Sequence, residues 1–247
     1  MQTAYTLEII AFCIEACLVA SASGADRIEL CDNPGEGGTT PSAGMIRKAV
    51  ATTPIPVFPI IRPRGGDFLY SDAEFEIMQD DVTFCRDIGC QGVVLGLLQA
   101  DGHVDVERTS KLVERAGNME VTFHRAFDRV ADPFASLEDV IRCGCRRILT
   151  SGCRPTAEKG LDIIRELQVR AQGRISIMPG SGIRSSNIAA IIQGTGVTEV
   201  HSSAASLSAS RMSYVNAAMQ EDLSHPMPSS SDVQAMRTIL DALATAR

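Results

Sequence analysis

The chain has 247 residues, a formal net charge of −7 and no basic run or aromatic stripe, which speaks against nucleic acid as a partner. No apolar run reaches the roughly 18 residues that a membrane helix needs. The length suits one large α/β domain better than two small ones. The first ten residues carry no basic segment ahead of a signal-type apolar core, so the expected location is the cytoplasm. The cysteines are spread through candidate strands and helices, with no CxxC pair and no His-x-x-x-His, and read as reduced thiols rather than disulfides or a zinc site.

Short runs of branched apolar residues alternate with helical patterns along the chain. A strand at 7–11 is followed by a helix at 14–23, and a strand at 27–30 by a helix at 42–51. The third pair is 57–61 and 72–87, opened by a capping box of Ser71 and Glu74. The pattern continues with 92–95 and 105–116, 120–123 and 133–143, 147–150 and 157–171, 174–178 and 185–193, and a last strand at 199–201. Eight strand–helix units point to a (β/α)8 TIM barrel in one domain spanning 1–247, with an open doubly wound sheet as the runner-up. No GxGxxG opens the first helix, which counts against the open sheet. The Ser- and Met-rich stretch 206–231 breaks the period and reads as an elaborated loop over the barrel mouth or against another subunit, before a C-terminal helix at 232–245.

Both faces of a barrel strand are covered, so a charge inside a strand belongs in the barrel interior. Glu8 and Glu29, each flanked by apolar neighbours, are placed there. The strand ends bring Cys31, Arg62, His124, Thr150 and His201 to one mouth, with Arg64, Arg125, Asp128 and Ser151 just beyond. That set suits acid–base chemistry: His124 or His201 as the acid/base, Glu29 or Glu8 as its orienter or co-catalyst, and Arg62 as the charge stabiliser. The segment PIIRPRGGDFLYSD adds Arg64 and two glycines to Arg62, a set of cations and close backbone suited to an anion. Gly180, Ser181 and Gly182 after the seventh strand, with Ser202 and Ser203 after the eighth, complete the expected anion seat. Only Lys48, Lys111 and Lys159 occur, all in helical patterns or at a helix start, so Schiff-base chemistry is excluded and proton-transfer or lyase chemistry stays open.

The stretches EGGTTPS at 36–42, RPRGGDF at 62–68, VTFHRAFD at 121–128, LTSG at 149–152 and HSSA at 201–204 together resemble the CutC copper-homeostasis family. The resemblance implies a (β/α)8 barrel, a cytosolic homodimer, and copper handling with binding of Cu(I). Some members carry one cysteine in strand 1 and another at the end of strand 2. Cys31 matches the second, whereas Ile10 stands at the first, leaving Cys13 as the nearby thiol. Cu(I) prefers soft sulfur ligands, so Cys31 and Cys13 are the candidate metal ligands. Two functions follow: a Cu(I)-binding copper-homeostasis protein, or an enzyme acting on a small anionic or phosphorylated metabolite, metal-independent or with a divalent metal.

Overall fold

Runs of Ile, Leu and Val form short strands whose residues are almost all buried, as expected where helices cover a parallel sheet. A computed structural model describes residues 5–246. Residues 1–4, the start of the stretch read for a leader, and residue 247 lie outside the described residues. The strands are β1 (Thr6–Ala11), β2 (Arg27–Leu30), β3 (Val57–Pro59), β4 (Gly92–Leu95), β5 (Glu120–Phe123), β6 (Arg147–Thr150), β7 (Ser176–Pro179) and β8 (Glu199–Ser202). The helices between and after them are α1 (Ile14–Ala22), α2 (Ala43–Thr52), α3 (Asp72–Asp87), α4 (Val106–Ala116), α5 (Pro133–Arg142), α6 (Leu161–Ala171), α7 (Ile188–Thr195) and α8 (Ser230–Thr245).

The strands pair in parallel in the orders β3-β2-β1-β8 and β4-β5-β6-β7. At the β3/β4 seam Ile60 bridges Val94, and the Ile61 N–H donates to the Val94 carbonyl at 2.7 Å. At the β7/β8 seam the Ser176 hydroxyl donates to Glu199 Oε1 at 2.7 Å. This is the (β/α)8 barrel fold that the eightfold repeat predicts. The capping box of Ser71 and Glu74 is present at the start of α3.

Three local departures have physical causes. β3 ends at Pro59, with Ile60 and Ile61 serving the seam to β4 instead of extending the strand. α7 starts at Ile188 because the N–H and hydroxyl of Ser185 both bond Asp232 at 3.1 and 2.6 Å, tying that loop to α8. The stretch read as a loop contains an antiparallel hairpin, β9 (Ala205–Ser208) with β10 (His225–Pro228), registered by Met227 opposite Ser206. Its far end carries the exposed apolar residues Met212, Tyr214, Val215 and Met219. Among the described residues no helix is long and apolar enough to cross a membrane.

Candidate functional site

β1 lies between β2 and β8, and the register sets Glu8 beside Arg27 on one side and His201 on the other. The side chains use that register. Arg27 Nε donates to Glu8 Oε2 at 2.5 Å, while His201 Nδ1 and Glu8 Oε1 share a hydrogen bond of 2.8 Å. Toward the mouth, His201 Nε2 stands 3.7 Å from Glu29 Oε2. All three acidic and imidazole groups are buried. Below them Arg27 also bonds Glu199 at 2.7 Å and lies over the Phe58 ring.

These neighbours push the protonation states apart. Burial alone would raise Glu8, but the Arg27 charge and then His201 hold its carboxyl well below the usual carboxylate range. Glu29 bonds no guanidinium among the described residues: burial, with the Glu8 charge added, outweighs the pull of His201 and of Arg27 and lifts it to about 7. Burial works against charge on His201, yet the bond to Glu8 and the two carboxylates raise it above its ordinary value. Glu8 therefore fixes the His201 ring, and His201 with Glu29 forms a pair able to trade a proton.

Ligand atoms of Glu8, Glu29 and His201 also lie within 4.8 Å of one another, a spacing that suits a cation. Against that use, the second oxygen of Glu8 already holds the Arg27 guanidinium, a fixed positive charge beside the place an ion would take. The donor set thus fits proton exchange better than a divalent metal.

Above the pair opens a pocket of about 380 Å³. Glu29, His201, His124, Arg62 and Arg125 give its titratable lining, and Ile10, Phe12, Phe68 and Leu149 much of its apolar wall. His124 Nδ1 accepts the Ala126 N–H at 3.2 Å, its ring packs on Phe68 with centroids 4.9 Å apart, and Nε2 has no hydrogen-bond partner among the described residues. Burial, then the Arg62 charge, lowers His124 to about 3. It is neutral at physiological pH.

The arginines divide differently from their spacing in the sequence. The Arg62 fork is committed to three carbonyls, those of Glu36 at 2.6 Å, Gly38 at 2.7 Å and Gly66 at 2.8 Å. It pins two loops and contributes its charge to the pocket, with Nε unpartnered among the described residues. Arg64 is outside the pocket lining and pairs with Glu74 at 2.5 Å and Asp67 at 2.9 Å. Arg125, which the sequence places just beyond the mouth, lines the pocket and is steadied by Asp128 at 2.7 Å and Ser151 at 3.0 Å.

Of the expected anion seat, Ser181, Gly182 and Ser203 line the pocket. The Ser181 hydroxyl donates to the Pro155 carbonyl at 2.9 Å, and the Ser202 hydroxyl is buried and donates to the Ile183 carbonyl at 2.6 Å. Gly180 is not in the lining; a Cβ there would come within 2.5 Å of Leu149 Cδ1, so its role is close packing beside His201. The apolar residues Phe12 and Phe68 were not singled out from the sequence, and the sole cue to Phe68 is its place directly after the arginine–glycine segment.

The two candidate sulfur ligands have different neighbours. Cys31 is fully buried among Phe58, Ile60 and Val94 and against Gly38. Burial first, and the charges of Glu29 and Glu8 next, push its thiol well above the usual range. Cys13 caps α1 by accepting the Ala16 N–H at 3.4 Å, and its sulfur stands 3.7 Å from that of Met227 on β10. Of the two candidate ligands, Cys13 is the one whose sulfur meets another sulfur, that of Met227.

The model of the CutC family matches residues 5–206. A CutC-family protein of Chromobacterium violaceum is 48% identical over 241 residues, covering 95% of this chain and 98% of that one. The human copper homeostasis protein cutC homolog is 46% identical over 215 residues, covering 87% and 79% respectively. Among solved structures, CutC from Streptococcus agalactiae superposes with a TM-score of 0.77 at 33% identity, over 81% of this chain and 98% of that one. With those motifs, that barrel and those relatives, the chain belongs to the CutC family.

Proposed function

We propose that the chain takes part in copper homeostasis, the role for which its human and mouse relatives are named, and that its chemistry is proton transfer on a small anionic ligand in the mouth pocket. The contact of Glu29 with His201 at 3.7 Å on the pocket wall carries the proton-transfer reading. Glu8 orients the imidazole from behind, and Arg62 and Arg125 give the pocket positive charge despite the acidic chain. Ser181, Gly182 and Ser203 offer the rim of a phosphate or carboxylate seat. The test is titration of the full chain with inorganic phosphate and with malonate by calorimetry, on wild type and His201→Asn. Binding of either anion that weakens in the variant supports the reading; no binding of either to wild type sinks it.

The second reading is a Cu(I) site near Cys31, with Cys13 as helper, favoured by the family kinship and by the thiol matching the family position. The contact of Cys13 with Met227 adds a thioether that suits Cu(I) equally well. A competition titration against a Cu(I) chelator separates the donors: loss in Cys31→Ser supports the buried thiol, and loss only in Cys13→Ser moves the metal to the β10 side. We place the protein in the cytoplasm, where its free cysteines stay reduced. We place a homodimer contact on the exposed apolar residues of the 209–224 loop, testable by light scattering of Met212→Glu/Tyr214→Glu.

A further inference from the structure

We propose that His124 is the donor, in this pocket, to an oxygen that becomes negative during the reaction, and that the ligand is accordingly a small carbonyl compound with a removable hydrogen beside the carbonyl. The inference rests on the proton-transfer reading above and names its substrate class.

The geometry of His124 leaves it one task. Its Nδ1 accepts the backbone N–H of Ala126 at 3.2 Å, so in the neutral ring the proton sits on Nε2. That Nε2–H belongs to a residue only 4% exposed, on the pocket wall, with no hydrogen-bond partner among the described residues. Buried donors in proteins nearly always have an acceptor, so an orphan on a pocket wall points to one supplied by a ligand. The ring is held in place by Phe68 on one side and by the space Gly96 leaves on the other. A donor fixed before the ligand arrives spends nothing on reorientation when charge develops.

The sequence alone left the acid/base role open between the two histidines. Burial and the nearby Arg62 keep His124 neutral, so it donates a hydrogen bond and does not deliver a proton. His201 and Glu29 keep the proton-transfer role. β5, which ends just before His124, is four strands around the ring from β1, whereas β2 and β8, which carry Glu29 and His201, flank β1. A ligand filling the pocket therefore meets the base from one wall and the donor from the other. The Arg62 charge, held by carbonyls rather than by a carboxylate, adds a field that favours negative charge there.

The step that uses this arrangement is an enolisation. The Glu29 carboxylate takes the hydrogen beside the carbonyl as a proton. The C–H electron pair becomes the new C=C bond, and the carbonyl π pair moves onto the oxygen, which accepts the His124 Nε2–H. Where the carbon that lost the proton also bears a hydroxyl, that hydroxyl's proton passes to the neighbouring oxyanion and Glu29 returns its proton to the former carbonyl carbon, which closes an isomerisation with no atom or electron gained or lost.

The probe is oxalate, a planar dianion with the shape and charge of a small enolate, titrated by calorimetry at pH 7 into the full chain. Wild type, His124→Phe, which removes the donor, and His124→Gln, which keeps an N–H, are compared. The expected result is oxalate binding to wild type, about tenfold weaker in His124→Phe and largely restored in His124→Gln. A nitrogen-15 spectrum of the wild type adds a readout free of any folding defect: a protonated Nε2 and bare Nδ1 on His124, with the Nε2–H shifting downfield on oxalate. Equal affinities of wild type and His124→Phe, or a bare Nε2, overturn the assignment while the proton-transfer pocket stands. Sulfate binding as tightly as oxalate reduces the site to a general anion seat and overturns the carbonyl class. Absence of oxalate binding together with absence of phosphate and malonate binding removes the pocket reading itself.

Discussion

Gly96 and His124 stand side by side where β4 and β5 end, and the imidazole occupies the space a side chain at Gly96 would need. A Cβ at Gly96 would lie 2.5 Å from His124 Nδ1 and 2.9 Å from the Ala126 Cβ, inside any tolerated contact. The glycine is there for close approach, and its φ is not in the left-handed region. Gly96→Ala must therefore displace the ring or bend the strand end. We expect a loss of about 1–3 kcal/mol in urea unfolding, the usual cost of overpacking. The same change should weaken oxalate binding, because a displaced ring no longer aims Nε2 into the pocket. An alanine variant with unchanged stability and affinity would show that the strand ends are looser than this packing implies.

The neutral His124 also predicts an acid dependence. Its folded pKa, about 3, lies below the ordinary histidine value of 6.5. Between those limits the unfolded chain binds a proton that the folded chain refuses. Stability from this group is thus full above about pH 6.5 and falls as pH drops toward 3, by about 1.4 kcal/mol per unit where the difference is one whole proton. His124→Gln has no such proton to take up. Urea midpoints measured at pH 4, 5 and 7 should fall more steeply for wild type than for the variant, and parallel curves would mean the imidazole is solvated.

How much of this is legible in the sequence depends on whether the signal is local. The barrel is, because each strand is a short apolar run followed by its helix, and β2, β4, β5 and β6 have the bounds that the runs suggest. The hairpin of β9 and β10 is not: Pro226 and Pro228 lack N–H groups and argue against a strand, yet a two-stranded ribbon leaves their outer edge unpaired. Glu8, Glu29 and His201 are visible as charges within apolar strands. The fate of Arg62 is hidden, since the carbonyls of Glu36 and Gly38 that occupy its fork come from a different loop. Arg64, two residues away and alike in sequence, ends on Glu74 and Asp67 at the surface.

That contrast between arginines gives a binding prediction. Arg125 lines the pocket, and Asp128 and Ser151 hold its guanidinium from one side. Removing it should lower the affinity for phosphate or malonate about tenfold, the weight of one charge-assisted hydrogen bond. Arg64→Ala should leave anion affinity unchanged, because its partners are Glu74, Asp67 and nearby carbonyls. Calorimetry on the two variants decides between a pocket built around Arg125 and one that extends to the arginine–glycine loop.

Arg27 carries the heaviest structural consequence. It is buried at the barrel floor, bonded to Glu8 at 2.5 Å and Glu199 at 2.7 Å, and stacked on Phe58. Glu8 is fully enclosed and stays ionised chiefly because this guanidinium is beside it. Arg27→Ala leaves the Glu8 carboxylate without its guanidinium in a site that water reaches poorly, while Glu199 keeps Arg147 at 2.9 Å, and breaking a buried pair in this way costs about 3–5 kcal/mol. Glu8 can relieve the strain by taking up a proton, and then it no longer favours a charged His201. Arg27→Ala should therefore lose stability and anion binding together. Arg27→Ala/Glu8→Gln, which removes both charges, should recover much of the stability while His201 remains without its ionised orienter. Chemical unfolding of the single and double variants, with malonate titrations alongside, separates the two roles. Stability that returns in the double variant without anion binding is the expected outcome; a double variant no more stable than the single one would mean that Arg27 contributes through packing on Phe58 rather than through charge.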